Sequence, residues 1–139
     1  MHAKHPKTRF VNAHMAMLYY DMDKVAALLD TYPNADVELS ATVQDLGRAP
    51  LMIRKFFLKY QDRIMFGTDT SPNREAYRIY YRFLETDDEY FDCSASHHRQ
   101  GFWPIYGIFL PDDVLEKVYR KNAERVLFGL NRDGAALSA

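Results

Sequence analysis

The sequence predicts an α/β fold with a parallel sheet. Three short β-type segments alternate with helical segments of about ten residues, which is the pattern of βαβ units. The chain has 139 residues, 47% of them hydrophobic, so it is long enough for one domain with a buried core and too short for two. We expect one domain over residues 1–130 and a flexible tail over residues 131–139, which are rich in Gly and small residues.

The first β-type segment covers residues 8–14 and ends at His14. A helix follows, with Asp21 or Asp23 as its N-cap and apolar residues at the spacing of one helix face. These apolar residues are Val25, Leu28, Leu29 and Tyr32. The helix is expected to end at Pro33.

The second β-type segment covers residues 36–40 and alternates with period two, so that Glu38 and Ser40 share a face. The next helix has Pro50 in its first turn. Its predicted buried side chains are Ile53, Phe56, Phe57 and Tyr60.

The third β-type segment covers residues 63–69 and ends at Asp69. After turn residues 70–73, a further helix face is predicted from Tyr77, Tyr80, Tyr81 and Leu84. An irregular stretch then leads to a C-terminal helical extension, which consists of a helix over residues 110–119 and one or two turns over residues 122–127.

Composition excludes several classes of function. Eighteen Lys and Arg against nineteen Asp and Glu give a formal net charge of −1, so no net basic field favours nucleic acid or an anionic membrane. Neither a membrane-spanning run nor a secretory signal is visible, which predicts a soluble, cytoplasmic protein. Cys93 is the only cysteine, which rules out an intrachain disulfide and a zinc site made of several thiolates.

His14 and Asp69 are the strongest candidate site residues. Both end a predicted strand, and in parallel α/β folds the chemistry collects at the carboxyl ends of the strands. A neutral imidazole and a carboxylate at one rim can bind a divalent metal such as Zn²⁺. The alternative is a hydrogen-bonded histidine and an aspartate that caps the following turn.

Two other features are weaker candidates. Arg48 lies just before a helix start and could bind an anionic substrate there, or form a structural salt bridge. His97 and His98 are adjacent, so their side chains diverge and a solvated loop is the better interpretation than a metal pair.

Several runs in the sequence together resemble the amidohydrolase-2 family, which includes relatives of aminocarboxymuconate semialdehyde decarboxylase. The runs are RFVNAH at 9–14, LLDTYPN at 28–34, LGRAP at 46–50, FFLKY at 56–60 and DRIMFGTD at 62–69. Further runs similar to one branch of the family are FLETDDEYF at 83–91, WPIYG at 103–107, LPDDVLEKVY at 110–119 and NA at 122–123. The order of these runs is far more specific than any one of them.

This resemblance implies a (β/α)₈ barrel and a metal-dependent hydrolase or decarboxylase that acts on a small molecule. The three strands would be strands six to eight of that barrel, with His14 at the end of the sixth and Asp69 at the end of the eighth. By resemblance, Asp69 is a metal ligand or the general base, and His14 binds metal or substrate.

The chain departs from the family pattern, because the His-x-His of the first strand and the histidine of the fifth strand are absent. A complete barrel needs about 250 residues, so we expect a partial barrel that is a fragment, a truncated gene product or one piece of an assembly. Its open sheet is expected to associate with a complementing chain or with a second copy. In a two-fold dimer, the second copy would cover a face that carries Phe10, Asn12, Glu38 and Met65.

Three functions remain open from the sequence. The first is an amidohydrolase-like enzyme, active only where the missing part is supplied. The second is an inactive interaction or oligomerisation module, and the third is a small-molecule binding domain that uses Arg48 without metal. Because catalytic zinc normally takes three protein ligands, we expect the isolated chain to bind divalent metal weakly and to lack robust hydrolase activity.

Overall fold

A computed structural model describes residues 1–94 and 103–129 and contains one parallel sheet in the order β1-β2-β3. The strands are β1 (Phe10–Asn12), β2 (Ala35–Glu38) and β3 (Ile64–Met65). This confirms the predicted α/β fold with three parallel strands and flanking helices. The strands are shorter than the β-type segments, because each segment leaves the sheet before its last polar residue.

The helices follow the predicted alternation. They are α1 (Ala13–Ala16), α2 (Met22–Thr31), α3 (Val43–Leu46), α4 (Pro50–Lys59), α5 (Arg74–Glu85), α6 (Asp112–Glu116) and α7 (Asn122–Phe128). A short 3₁₀ helix covers His2–Lys4, and a π-helical turn over Lys117–Lys121 joins α6 to α7. Asp21, one of the two predicted N-caps, caps α2 by accepting from the Lys24 backbone N–H. No helix in residues 1–94 and 103–129 is long and apolar enough to cross a membrane.

The core lies between the sheet and the helix layer. Val37 and Ile64 contribute from the strands and pack with buried side chains of α2, α4 and α5. All four predicted core residues of the α4 segment are buried. The predicted tyrosine face of α5 is only partly buried, since Tyr80 and Leu84 are enclosed while Tyr81 remains 39% exposed.

The strand register corrects the predicted composition of one sheet face. Phe10 pairs with Ala35 and Asn12 with Val37, whereas Glu38 pairs with Met65. Paired residues of parallel strands project to the same side, and alternate residues project to opposite sides. Phe10 and Asn12 therefore lie on the helix-facing side and Glu38 and Met65 on the other, so no single open face carries all four.

The outer edge of β3 is covered, so the sheet lacks one of the two exposed edges that an isolated three-stranded sheet would have. The Phe66 N–H donates to the Val118 carbonyl at 2.9 Å, within the π-helical turn. The Asn122 side-chain amide donates to the carbonyls of Ile64 at 2.8 Å and Gln61 at 2.7 Å. The C-terminal helical segment thus satisfies the backbone groups that a further strand would otherwise use.

A cluster of charged side chains lies at the end of the sheet where the strands begin. The buried carboxylate of Asp36 accepts hydrogen bonds from Arg9 and Arg125 and lies 3.4 Å from the Arg63 Nε. These groups connect all three strand regions to α7. His97, His98 and the predicted tail at 131–139 lie outside the described residues, and the domain boundary at residue 130 stays a prediction.

Candidate functional site

Each strand leads into a loop that contains a residue in the left-handed backbone region. These residues are His14 after β1, Ala41 after β2 and Asp69 after β3, with φ of 53°, 53° and 54°. A non-glycine residue in this region carries a steric cost, and such residues concentrate at functional sites where surrounding contacts hold them. The strained residues therefore lie just beyond the carboxyl ends of the three strands, here called the carboxyl rim. The sequence predicts the candidate site residues at this rim.

The segment after β1 is the most unusual of the three loops. His14, Met15, Ala16 and Met17 all have positive φ, so α1 is a left-handed turn and not a regular helix. Met15 anchors the turn in the core with no exposed surface. The His14 backbone N–H donates to Glu38 Oε1 at 2.7 Å, which ties the turn to β2.

Glu38 organises the rim through its two carboxylate oxygens. Oε1 accepts from the His14 N–H and from the Ser40 hydroxyl at 2.6 Å, while Oε2 accepts from the Ser40 N–H at 3.0 Å. Hydrogen bonds to a charged acceptor are stronger than neutral ones. The sequence identifies Glu38 as a residue that shares a face with Ser40, but not as the centre of this network.

Gly67 is required by the position of the Glu38 carboxylate. A Cβ built on Gly67 would collide with Glu38 Oε2. The glycine has an ordinary φ, so its role here is close approach and not conformational freedom. It allows the Glu38 carboxylate to lie against the β3 loop.

The structure brings His14 and Asp69 together. His14 Nδ1 lies 2.9 Å from both the Ser40 carbonyl oxygen and the Ser40 hydroxyl, and because the carbonyl only accepts and the hydroxyl donates to Glu38, Nδ1 is the protonated nitrogen whenever the ring is neutral. The unprotonated Nε2 then lies 3.9 Å from Asp69 Oδ2. The Asp69 side chain is 52% exposed, so this pair opens to solvent.

Strand alternation alone does not produce this meeting. Asn12 faces the helix layer, and a continued strand would carry His14 to that same side. The left-handed turn moves the His14 imidazole to the side of Glu38 and Asp69 instead. The two residues lie close together, as their predicted places at one rim suggest. The left-handed turn, and not an extended strand, places His14 there.

The buried Tyr80 side chain connects two loops of the rim. The sequence predicts only that Tyr80 packs on a helix face. Its hydroxyl accepts from the left-handed Ala41 N–H at 2.9 Å and donates to the Thr68 carbonyl at 3.3 Å. Burial, opposed by the Ala41 N–H and assisted by the charges of Glu38 and Asp69, raises the pKa of Tyr80 to about 12. The neutral hydroxyl thus joins the β2 loop to the β3 loop.

We expect this pKa shift to appear in the pH dependence of stability. Because the pKa of Tyr80 rises from 10 to about 12 on folding, its contribution is present below pH 10 and is lost as the pH rises through 12. Two pKa units correspond to about 3 kcal/mol. Tyr80→Phe should lose about 1–3 kcal/mol at pH 8, where the Ala41 N–H is left unpaired, and should fall less steeply than wild type above pH 10.

Urea denaturation from pH 8 to 11.5 measures this difference. Tyr20→Phe, at an exposed position, is the matched control and should follow wild type throughout. Parallel pH profiles for Tyr80→Phe and wild type would show that Tyr80 is not the linked group.

The site residues fit a divalent metal only in part. Two ligands at about 2.1 Å from a tetrahedral Zn²⁺ are about 3.4 Å apart, so the 3.9 Å between His14 Nε2 and Asp69 Oδ2 is close to a metal-binding separation. The Glu38 carboxylate is already committed to three donors. In residues 1–94 and 103–129, no group of three or more His, Cys, Asp or Glu side chains is arranged to hold a metal. The described residues therefore do not form a complete metal centre.

Arg48 and Cys93 do not belong to the pair formed by His14 and Asp69. The Arg48 guanidinium stacks over the Trp103 ring, with its carbon 4.6 Å from the ring centroid, and its role in substrate binding stays a prediction. Burial, followed by the charge of Asp92, raises the pKa of the Cys93 thiol, which disfavours the reactive thiolate.

The chain matches a known protein family. A family model described as Amidohydrolase, of the amidohydrolase-2 type, matches residues 1–129 and so covers most of the chain. No curated protein and no solved structure matches the chain. The matched family is generally metal-dependent.

Proposed function

Because the chain belongs to the amidohydrolase family, we propose that it carries part of the active site of a metal-dependent hydrolase or decarboxylase. The observation that supports this most directly is the pair formed by His14 and Asp69 at the carboxyl rim of the parallel sheet. This is the part of an α/β fold where catalytic groups collect. The substrate is a small molecule that enters from the open side of the rim.

In this proposal the two residues have different tasks. Asp69 offers an exposed carboxylate that can accept a proton or coordinate a cation, and we assign it the catalytic role. His14 offers Nε2, with its tautomer fixed by the Ser40 carbonyl, as a second donor atom. Arg48 contributes to the binding of an anionic substrate.

We propose that the divalent cation is Zn²⁺. Its remaining ligands come from polypeptide outside residues 1–94 and 103–129. Two protein donors are fewer than the three that catalytic zinc normally has. We therefore propose that the chain alone binds the metal weakly and is inactive until a complementing chain completes the site. The alternative is an inactive interaction module, favoured by a buried core that forms although the described residues bring just two donors together at the rim.

Calorimetric titration of the purified chain with Zn²⁺ tests this proposal. We expect a dissociation constant weaker than about 1 μM, with the residual binding lost in both His14→Ala and Asp69→Asn. His5→Ala removes an exposed histidine outside the pair and is the matched control.

Two results would contradict the proposal. Submicromolar binding at one site per chain that either substitution abolishes would mean that the chain carries a complete metal centre. Weak binding that persists unchanged in both variants would mean that His14 and Asp69 are not ligands, and would favour the interaction module.

A further inference from the structure

A cavity of about 340 Å³ lies where the first turns of α4 meet the chain around residues 87 and 89 and the segment 106–109. This volume is in the range of small-molecule binding sites. The residues that line it include neither member of the pair formed by His14 and Asp69. Because α4 joins β2 to β3, completion of a barrel adds strands at the edges of the sheet and leaves this helix and its cavity in place.

Backbone hydrogen bonds hold two walls of the cavity together. The Gly107 N–H donates to the Asp88 carbonyl at 2.8 Å, and the Phe109 N–H donates to the Thr86 carbonyl at 3.0 Å. Phe109 has a φ of 43° and is 56% exposed. Such strain is typical of functional sites, and here it presents an aromatic ring to the cavity instead of to the core.

Arg54 places a positive charge in the cavity wall. Its Nη1 donates to the Ile108 carbonyl at 2.7 Å, and its guanidinium carbon lies 5.8 Å from the centroid of the Phe109 ring. Neither contact neutralises the charge, and no carboxylate in residues 1–94 and 103–129 forms an ion pair with this guanidinium. Its remaining N–H donors suit a planar carboxylate.

Asp87 and Glu89 place negative charge in the same cavity. Asp88, between them in the sequence, is paired with Arg82 at 2.7 Å. The side chains of Asp87 and Glu89 have no such partner within the part of the chain that the structure describes. Opposite charges therefore line one cavity without forming an ion pair with each other.

We propose that this cavity binds a free α-amino acid with an apolar side chain. The ligand carboxylate pairs with Arg54, and the ligand ammonium pairs with Asp87 and Glu89. The apolar side chain packs against the apolar wall, which includes Tyr106 and Phe109. A ligand that carries both charges satisfies both sides of the cavity at once.

The charges of the cavity explain why a ligand with one charge binds less well. A simple carboxylate pairs with Arg54 but is repelled by Asp87 and Glu89 and leaves both of them without a partner. A simple amine pairs with the two carboxylates but leaves the guanidinium without one. The affinity should therefore require both charged groups of the ligand.

An NMR titration of the metal-free, nitrogen-15-labelled chain with three ligands tests this. L-phenylalanine should bind with a dissociation constant below about 1 mM. The amine 2-phenylethylammonium and the acid 3-phenylpropionate, which each lack one of its charges, should bind at least about tenfold more weakly. The amide signals of residues 87–89 and 106–109 should move, while those of His14, Ser40 and Asp69 should not.

Substitutions assign each charge to its partner. Arg54→Gln should weaken the binding of L-phenylalanine and 3-phenylpropionate and spare the amine, whereas Asp87→Asn combined with Glu89→Gln should weaken L-phenylalanine and the amine. Lys55→Gln removes an exposed positive charge of α4 that does not line the cavity, so this matched control should bind as wild type does.

Three results would overturn the proposal. The first is equal binding of the three ligands, a comparison that needs no variant and so does not depend on how the variants fold. The second is the absence of localised shifts at residues 87–89 and 106–109. The third is binding by the cavity variants that matches Lys55→Gln. None of these results depends on the zinc titration, because the cavity and the pair formed by His14 and Asp69 share no residue.

Discussion

Asp36→Asn is expected to lower the free energy of unfolding by about 2–4 kcal/mol, because it leaves the partly buried guanidinium groups of Arg63 and Arg125 without their counterion. The Asp36 carboxylate has no exposed surface and lies 2.6 Å from Arg9 Nη2 and 3.1 Å from Arg125 Nη2. The Arg63 Nε lies 3.4 Å away, and burial lowers the pKa of that guanidinium although Asp36 raises it. Asparagine keeps the shape of the side chain and removes its charge, so the three guanidinium groups then repel one another.

Urea denaturation at pH 7 measures this loss, with the midpoint and the slope both recorded. Glu75→Gln is the matched control, since it removes the carboxylate of an exposed pair with Arg78 and should cost less than about 0.5 kcal/mol. A loss for Asp36→Asn as small as that of the control would show that the cluster is solvated and does not hold the strands to α7.

Glu38→Ala is expected to lower the free energy of unfolding by about 2–4 kcal/mol and to loosen the turn that presents His14. A hydrogen bond to a charged group contributes about 1.5–3 kcal/mol, and Glu38 accepts three of them. Water replaces part of this loss because Glu38 is only half-buried. Without the carboxylate, the His14 N–H loses the hydrogen bond that helps to offset the energetic cost of the positive φ at this residue.

Glu38→Gln separates the charge from the shape. The amide oxygen still accepts from the His14 N–H, but the amide NH₂ group meets the Ser40 N–H, so an intermediate loss is expected. Amide hydrogen exchange should show faster exchange at His14 and Ser40 in Glu38→Ala, with little change in the α4 core. Unchanged exchange at His14 would mean that contacts such as the buried Met15 side chain hold the turn by themselves.

The sequence by itself determined the elements that depend on local pattern. The order of strands and helices, the Asp21 cap and the buried face of α4 follow from hydrophobic spacing and from residues that begin or end helices. The positions of His14 and Asp69 in the segments that follow β1 and β3 come from the same reasoning. Each of these features depends on residues that are close together in the sequence.

Only the tertiary structure decided how the strand ends meet and how the outer edge of β3 is covered. Four successive positive φ values after β1 are visible in no spacing rule, because the contacts that stabilise them come from Glu38 on another strand. The role of Tyr80 depends on Ala41, 39 positions away, and the covering of β3 depends on the Val118 carbonyl in the π-helical turn. Such contacts join residues far apart in the chain, and periodicity carries no information about them. They place His14 beside Asp69 and cover the outer edge of β3.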